Sequence, residues 1–265
     1  MNIIRRELRA NLKALLIWSA CVVIVLMLAA VELRTFVDTA VDMDTLLEFF
    51  PEGLREMLAL ETIRFDKPEG YFSYVGQYLL LVGALYAGLA GVRVLSREVH
   101  KKTIETAFPL PITRRRFLAM KTVAALINCL IFSAITYAGV MAAFSSTGAE
   151  PGFPLKVFFV VALMFLLQVL FLFVGMTISV LTRNHKRAGS VIASLAVVVY
   201  LMSFISRLGE QMDFLAYITP FEYFSITDVM SGKTLDLFGF IVVPAMILVF
   251  GGLSFGLIKR KDIYT

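Results

Sequence analysis

Several residues have the types that chemistry uses, and most fail on spacing. Ser231-Gly232-Lys233-Thr234 ends as a phosphate-binding loop ends. Such a loop needs another glycine five positions before its Gly-Lys pair, and Thr227 stands there instead. No strand is expected before it. His100 and His185 are isolated, with no cysteine or carboxylate set at ligand spacing, so no metal site is expected. Cys21 and Cys129 fall inside apolar runs, where protonated thiols pack as small apolar groups. No nucleophile and base can be paired. What remains is the loop Arg93–Lys121, with eight Lys or Arg and only Glu98 and Glu105 acidic. Its chemistry is that of docking: charged and apolar side chains on a short segment between two long apolar runs.

Those runs position the loop. The chain has 265 residues, 59% of them hydrophobic, with a mean hydropathy of +0.82. Six stretches carry no charge: 15–31, 70–92, 122–149, 157–182, 188–206 and 237–258. A helix needs about 20 apolar residues to cross about 30 Å of hydrocarbon. Lipid offers the backbone no hydrogen bonds, so such runs form helices. The expected fold class is all-α integral membrane, one polytopic transmembrane domain over 1–265, with spans near 15–33, 70–95, 120–145, 157–182, 188–206 and 237–258. No cleaved signal peptide is expected, because the first run is long for one and leads into Glu32-Leu33-Arg34 without a small-x-small site.

Charge sets orientation. The N-terminus, 93–121, 183–187 and 259–265 together hold 18 Lys and Arg against 4 acidic residues. The alternate segments 32–69, 150–156 and 207–236 hold 7 against 16. Positive loops face the cytoplasm, so both termini are expected there. Orientation and anionic headgroups account for the basic balance, and nucleic acid is not needed as a partner.

Local patterns add detail. Residues 2–14 place Ile4, Leu8 and Leu12 on one side and Arg5, Arg6, Arg9 and Lys13 on the other. That suits an interfacial helix preceding a turn into the bilayer, or a plain orientation signal; the two are compatible. Arg5, Arg6 and Arg9, with Arg114, Arg115 and Arg116, are expected to hold lipid phosphates. Between 32 and 69 the repeats Leu46, Leu47, Phe50 and Leu54, Met57, Leu58 predict two short outer helices, the second starting at Pro51. This hairpin is either a lid or a gate for substrate. Gly83, Ala87 and Gly91 permit a close helix contact, within the chain or with a second copy. Gly252 and Gly256 repeat that spacing, and Pro244 should kink the sixth span or break its ladder. Phe214–Met230, interrupted by Pro220, predicts a re-entrant or interfacial helix pair. Ionisable groups mark proton and ion relays in carriers, and none falls inside the uncharged runs, so energy should come from a partner.

In the basic loop, Glu98, Thr103-Ile104-Glu105, Pro111-Ile112-Thr113-Arg114 and Lys121 stand in one order. With Pro51-Glu52-Gly53-Leu54, Pro68-Glu69-Gly70-Tyr71, Thr219-Pro220-Phe221 and the tail Lys259-Arg260-Lys261-Asp262-Ile263, they resemble the type-two permease family of ATP-binding-cassette exporters along essentially the whole chain. Lys102 and Met120 stand where that family usually has glycine, which leaves the helix bend open.

The resemblance implies a non-catalytic subunit with no cofactor of its own, ATP and Mg belonging to a cytoplasmic ATPase present in two copies. It implies a second permease copy, the same chain or a different one, in a bacterial cell membrane. A cytoplasmic coupling helix around 97–110 would enter a groove of the ATPase. Arg97, Glu98, Lys101, Lys102, Thr103 and Glu105 would form polar contacts there, with Ile104 and Phe108 as the apolar anchor; the alternative is that these charges meet only headgroups. The path would lie between the copies, lined by the second and fifth spans, with Gln77, Tyr78, Tyr86, Ser194, Tyr200 and Ser203 as liners for a peptide, lipid-like or drug cargo. Two other readings stand beside it: an ATPase-linked module for sensing or resisting antimicrobial peptides without transport, and an unrelated membrane scaffold or enzyme.

Overall fold

A computed structural model describes residues 2–38, 49–57, 65, 67–101, 114–144, 147–182, 184–208, 210–233 and 237–260. Among these there is no strand. Eight α-helices follow in order: α1 (Asn2–Asp38), α2 (Glu52–Met57), α3 (Pro68–Lys101), α4 (Arg114–Phe144), α5 (Phe153–Leu181), α6 (His185–Ile205), α7 (Ile226–Ser231) and α8 (Leu237–Arg260). Two 3-10 turns, Glu210–Leu215 and Glu222–Phe224, lie between α6 and α7. Six helices (α1, α3, α4, α5, α6 and α8) are long and apolar enough to cross a membrane. The end carrying the start of α1 and the 93–121 loop is called the basic end, the other the acidic end.

α5 is the centre of the bundle. It packs along α3 and also meets α4, α6, α7 and α8, while α1 lies chiefly on α4. Three side chains tie α5 to its neighbours where lipid offers no hydrogen bonds. Ser133 Oγ of α4 donates to Gln168 Oε1 at 3.3 Å, Ser179 Oγ to Val92 O of α3 at 3.2 Å, and Thr177 Oγ1 to Phe250 O of α8 at 3.1 Å.

Glycine sets the closest crossing. A Cβ on Gly91 would stand 2.0 Å from Leu172 O, and one on Gly175 2.2 Å from Gly88 O. The second span's small residues therefore serve packing of α3 on α5 within the chain. Gly252 and Gly256 of α8 face open space, with nothing within 4 Å of an added Cβ.

Two expectations need correction. The turn between an interfacial helix and the first span is absent: α1 is one helix of 37 residues, about 55 Å long at 1.5 Å per residue. Its buried face, set by the span, runs Glu7, Leu15, Ser19, Val22, Leu26 and Leu33, whereas Leu12 is exposed. Among the described residues between α6 and α8 there is no helix pair but two 3-10 turns and the six-residue α7. α8 runs through Pro244 to Arg260, and Pro244, having no N–H, omits one bond of the helix ladder.

The outer hairpin is described only in its second half. α2 follows Pro51, whose carbonyl accepts from Leu54 N and Arg55 N. Of the first predicted helix there, Leu46 and Leu47 lie outside the described residues, and Phe50 is exposed at the bend before Pro51.

Gly232 has a structural role. Its φ is 75°, a left-handed conformation that glycine adopts freely. Its N–H reaches Val229 O and the Lys233 N–H reaches Asp228 O, which closes the C-terminus of α7. Ser225 Oγ caps the other end by accepting from Asp228 N at 3.3 Å. Ser231-Gly232 is a helix stop with Lys233 following it, and Thr234 lies outside the described residues.

Candidate functional site

The basic loop enters from α3, which extends beyond its apolar run to Lys101. Arg97, Glu98 and Lys101 occupy the last turns of that helix. Lys102, Thr103, Ile104, Glu105 and Phe108 lie outside the described residues. Arg114, Arg115 and Arg116 form the first turn of α4, and Arg116 is exposed. Arg5, Arg6 and Arg9 are exposed along α1. Lys121, one turn further along α4, is not: its side chain is 1% exposed and its Nζ lies 3.7 Å from Glu7 Oε1 of α1.

The six path candidates divide by burial. Tyr78 and Ser194 are exposed on α3 and α6, where a second wall or lipid would meet them. Tyr78 donates to the Tyr74 hydroxyl at 3.4 Å. Tyr86 is buried at the junction of three spans. It stacks on Phe132 of α4 at 4.6 Å between centroids and lies 6.2 Å from Trp18 of α1. Tyr200 is buried against Phe204 and Phe221, at 4.8 and 5.3 Å. Ser203 turns back on its own helix, donating to Tyr200 O at 2.6 Å. Gln77 is buried and belongs to a cluster that spacing alone did not reveal.

That cluster sits at the acidic end. Arg207, just past α6, donates through Nε and Nη2 to the Glu222 carboxylate at 3.0–3.2 Å and through Nη1 to Gln77 Oε1 at 3.1 Å. The guanidinium also lies 5.5 Å from the Phe204 ring. One planar fork thus joins α6, α3 and the Glu222–Phe224 turn, a geometry that lysine cannot supply. The available signal was charge in an apolar setting: Arg207 closes an uncharged run, and Glu222 interrupts an aromatic one. The turn is held further by Tyr223, whose hydroxyl donates to Tyr217 O and whose phenol is pushed above its usual range by burial.

Other contacts at this end join α1, α3 and the start of α5. The Tyr71 hydroxyl donates to Glu32, Glu69 Oε1 accepts from Glu150 N at 2.9 Å, and Lys67 meets Glu150 at 3.3 Å. Lys156 Nζ donates to Met230 O at 2.8 Å, at the end of α7. Cys129 is buried and Cys21 exposed, and both are free. No group of three or more His, Cys, Asp or Glu that could hold a metal occurs among the described residues.

An all-helical bundle with six apolar spans and these polar ties at its two ends is a multi-pass membrane protein. Residues 1–263 match the family model described as ABC-2 family transporter protein, and the chain belongs to that family. The family is a membrane transport component, not a catalytic one, and in general works with an ATP-binding-cassette partner. None of the curated proteins matches the chain.

Proposed function

We propose that this chain is the membrane-spanning subunit of an ATP-driven exporter in a bacterial cell membrane, its termini and basic loop in the cytoplasm. Two copies, or one copy and a related permease, form the path, and a cytoplasmic ATPase present in two copies binds the 97–108 segment and supplies ATP and Mg. The observation that carries this reading is the family match over 1–263 on a bundle of six spans. The charge bias between the two ends supports the orientation. The uncharged spans fit a device driven from outside the membrane and a cargo that is amphipathic or apolar: a peptide, a lipid-like molecule or a drug.

Reconstitution tests it. With its cognate ATPase in liposomes, the chain should move fluorescent amphipathic peptides or lipid analogues in an ATP-dependent manner. ATP hydrolysis stimulated by such peptides with no movement would replace export by sensing or resistance. Absence of any ATPase partner would favour the unrelated scaffold or enzyme.

The path residues separate by a second experiment. Tyr78→Ala should leave thermal stability nearly unchanged and alter cargo-stimulated ATP hydrolysis, since Tyr78 is exposed. Tyr86→Ala removes a buried ring from a three-helix junction and should cost about 3 kcal/mol of protomer stability. If alanine at Tyr78, Tyr86 and Tyr200 leaves stimulated hydrolysis unchanged, these residues do not line the path.

A further inference from the structure

At the basic end, α1 and α4 share a buried ion pair that ATPase docking by itself does not require. Glu7 and Lys121 meet at 3.7 Å with side-chain exposures of 9% and 1%, and the Lys121 ammonium also lies 5.5 Å from the Phe117 centroid. Arg6 approaches Glu7 as well, at 3.9 Å, but is 62% exposed. A charge withdrawn from water is costly unless an opposite charge accompanies it. Separating the first turns of α1 from α4 would therefore break a pair withdrawn from water, although Arg6 would stay beside Glu7 on α1, and this contact holds the two helix starts together sideways.

The two helices run in parallel register from there. Glu7 stands beside Lys121, and further along Val23 and Leu26 fill the space that a Cβ on Gly139 would enter. α1 has no break between Asn2 and Asp38, so a displacement at Glu7 is carried along the helix. Lys121 closes the basic loop and lies on the turn after Arg114–Arg116.

We propose that the Glu7–Lys121 pair is a positioning tie through which movement of the basic loop is delivered to the first span. It rests on the reading that an ATPase docks on that loop. Glu7 and Lys121 touch neither cargo nor nucleotide; they make α1 and the start of α4 move as one body.

The reporter is placed outside the hydrocarbon. Val37 of α1 is exposed beyond the uncharged run 15–31, so an environment-sensitive maleimide on Val37→Cys, used as the background for every chain compared, reports on α1. Cys21 and Cys129 lie within the spans, out of reach of a water-borne reagent. The chain with its ATPase in lipid nanodiscs is compared before and after ATP and vanadate, alongside melting temperature and ATP hydrolysis. Wild type should show a fluorescence change. Glu7→Gln and Lys121→Met should bind the ATPase and hydrolyse ATP, yet lose at least about threefold of that change. The reversed pair Glu7→Lys with Lys121→Glu should restore it at unchanged melting temperature. A merely structural pair would move the melting temperature and leave the response per folded complex intact, which overturns the proposal. So would a silent wild type. If the single variants do not fold, the reversed pair decides: folded and responsive supports the tie, folded and silent overturns it. If the wild type binds no ATPase, the docking reading falls and takes the tie with it; if every variant binds, hydrolyses and responds fully, the tie alone falls.

Discussion

Alanine at Gly91 or Gly175 is expected to destabilise the protomer by about 3 kcal/mol, or to prevent its accumulation in the membrane. The added methyl would stand 2.0 Å from Leu172 O in the first case and 2.2 Å from Gly88 O in the second. Both obstacles are backbone, so no rotamer change relieves them. Relief means moving α3 away from α5, and α5 is the helix on which α3, α4, α6 and α8 all pack. The separation would also stretch the Ser179–Val92 hydrogen bond close to the crossing. Gly252→Ala and Gly256→Ala are the controls. They carry the same spacing on α8 but have nothing within 4 Å, and should not destabilise the protomer; alanine's better helix propensity would raise stability by up to about 1 kcal/mol. Thermal unfolding in detergent, followed by the single tryptophan Trp18, separates the two pairs. Equal stability of Gly175→Ala and Gly252→Ala would contradict the crossing.

Arg207→Ala is the second large effect. It removes a bidentate partner from Glu222 and a donor from Gln77, both held between α6, α3 and the turn that precedes α7. The pair is about a fifth exposed on each side, so the full cost of breaking a buried pair does not apply. A loss of about 1–3 kcal/mol is expected, the range for hydrogen bonds to charged groups. Arg207→Lys keeps the charge but not the fork, and should recover less than half of it. Glu222→Gln should resemble Arg207→Ala, and the double variant should fall short of the sum because the residues share one interaction. Unfolding of the three variants and the double, compared as a cycle, checks this. Additive losses would mean that Arg207 and Glu222 act independently.

These cases mark what could be read along the chain. The spans were legible because uncharged runs of that length have one solution in lipid. Their ends were less so: α1 and α3 continue as helices well beyond the hydrocarbon, and charge marks where lipid stops, not where hydrogen bonding stops. Gly83, Ala87 and Gly91 announced a close contact, but spacing on one helix does not name the helix it meets. Residue type proposed Tyr86 and Tyr78 as equals; position on the helix sends one against Phe132 and leaves the other exposed. Gln77, Arg207 and Glu222 are far apart in the chain, and only the folded bundle brings them together. Lys121 was visible in the order of loop residues, whereas Glu7, the one acid among the basic residues of the first turns, acquires meaning only once α1 lies on α4.

Docking of an ATPase on the basic loop is the claim on which the rest depends, and co-purification tests it most directly. A chain with Glu98, Lys101 and Glu105 all replaced by alanine, expressed with its cognate ATPase, should reach the membrane in normal amount and lose the bound ATPase. An ATPase that stays bound to this variant and hydrolyses ATP with full coupling would contradict the account.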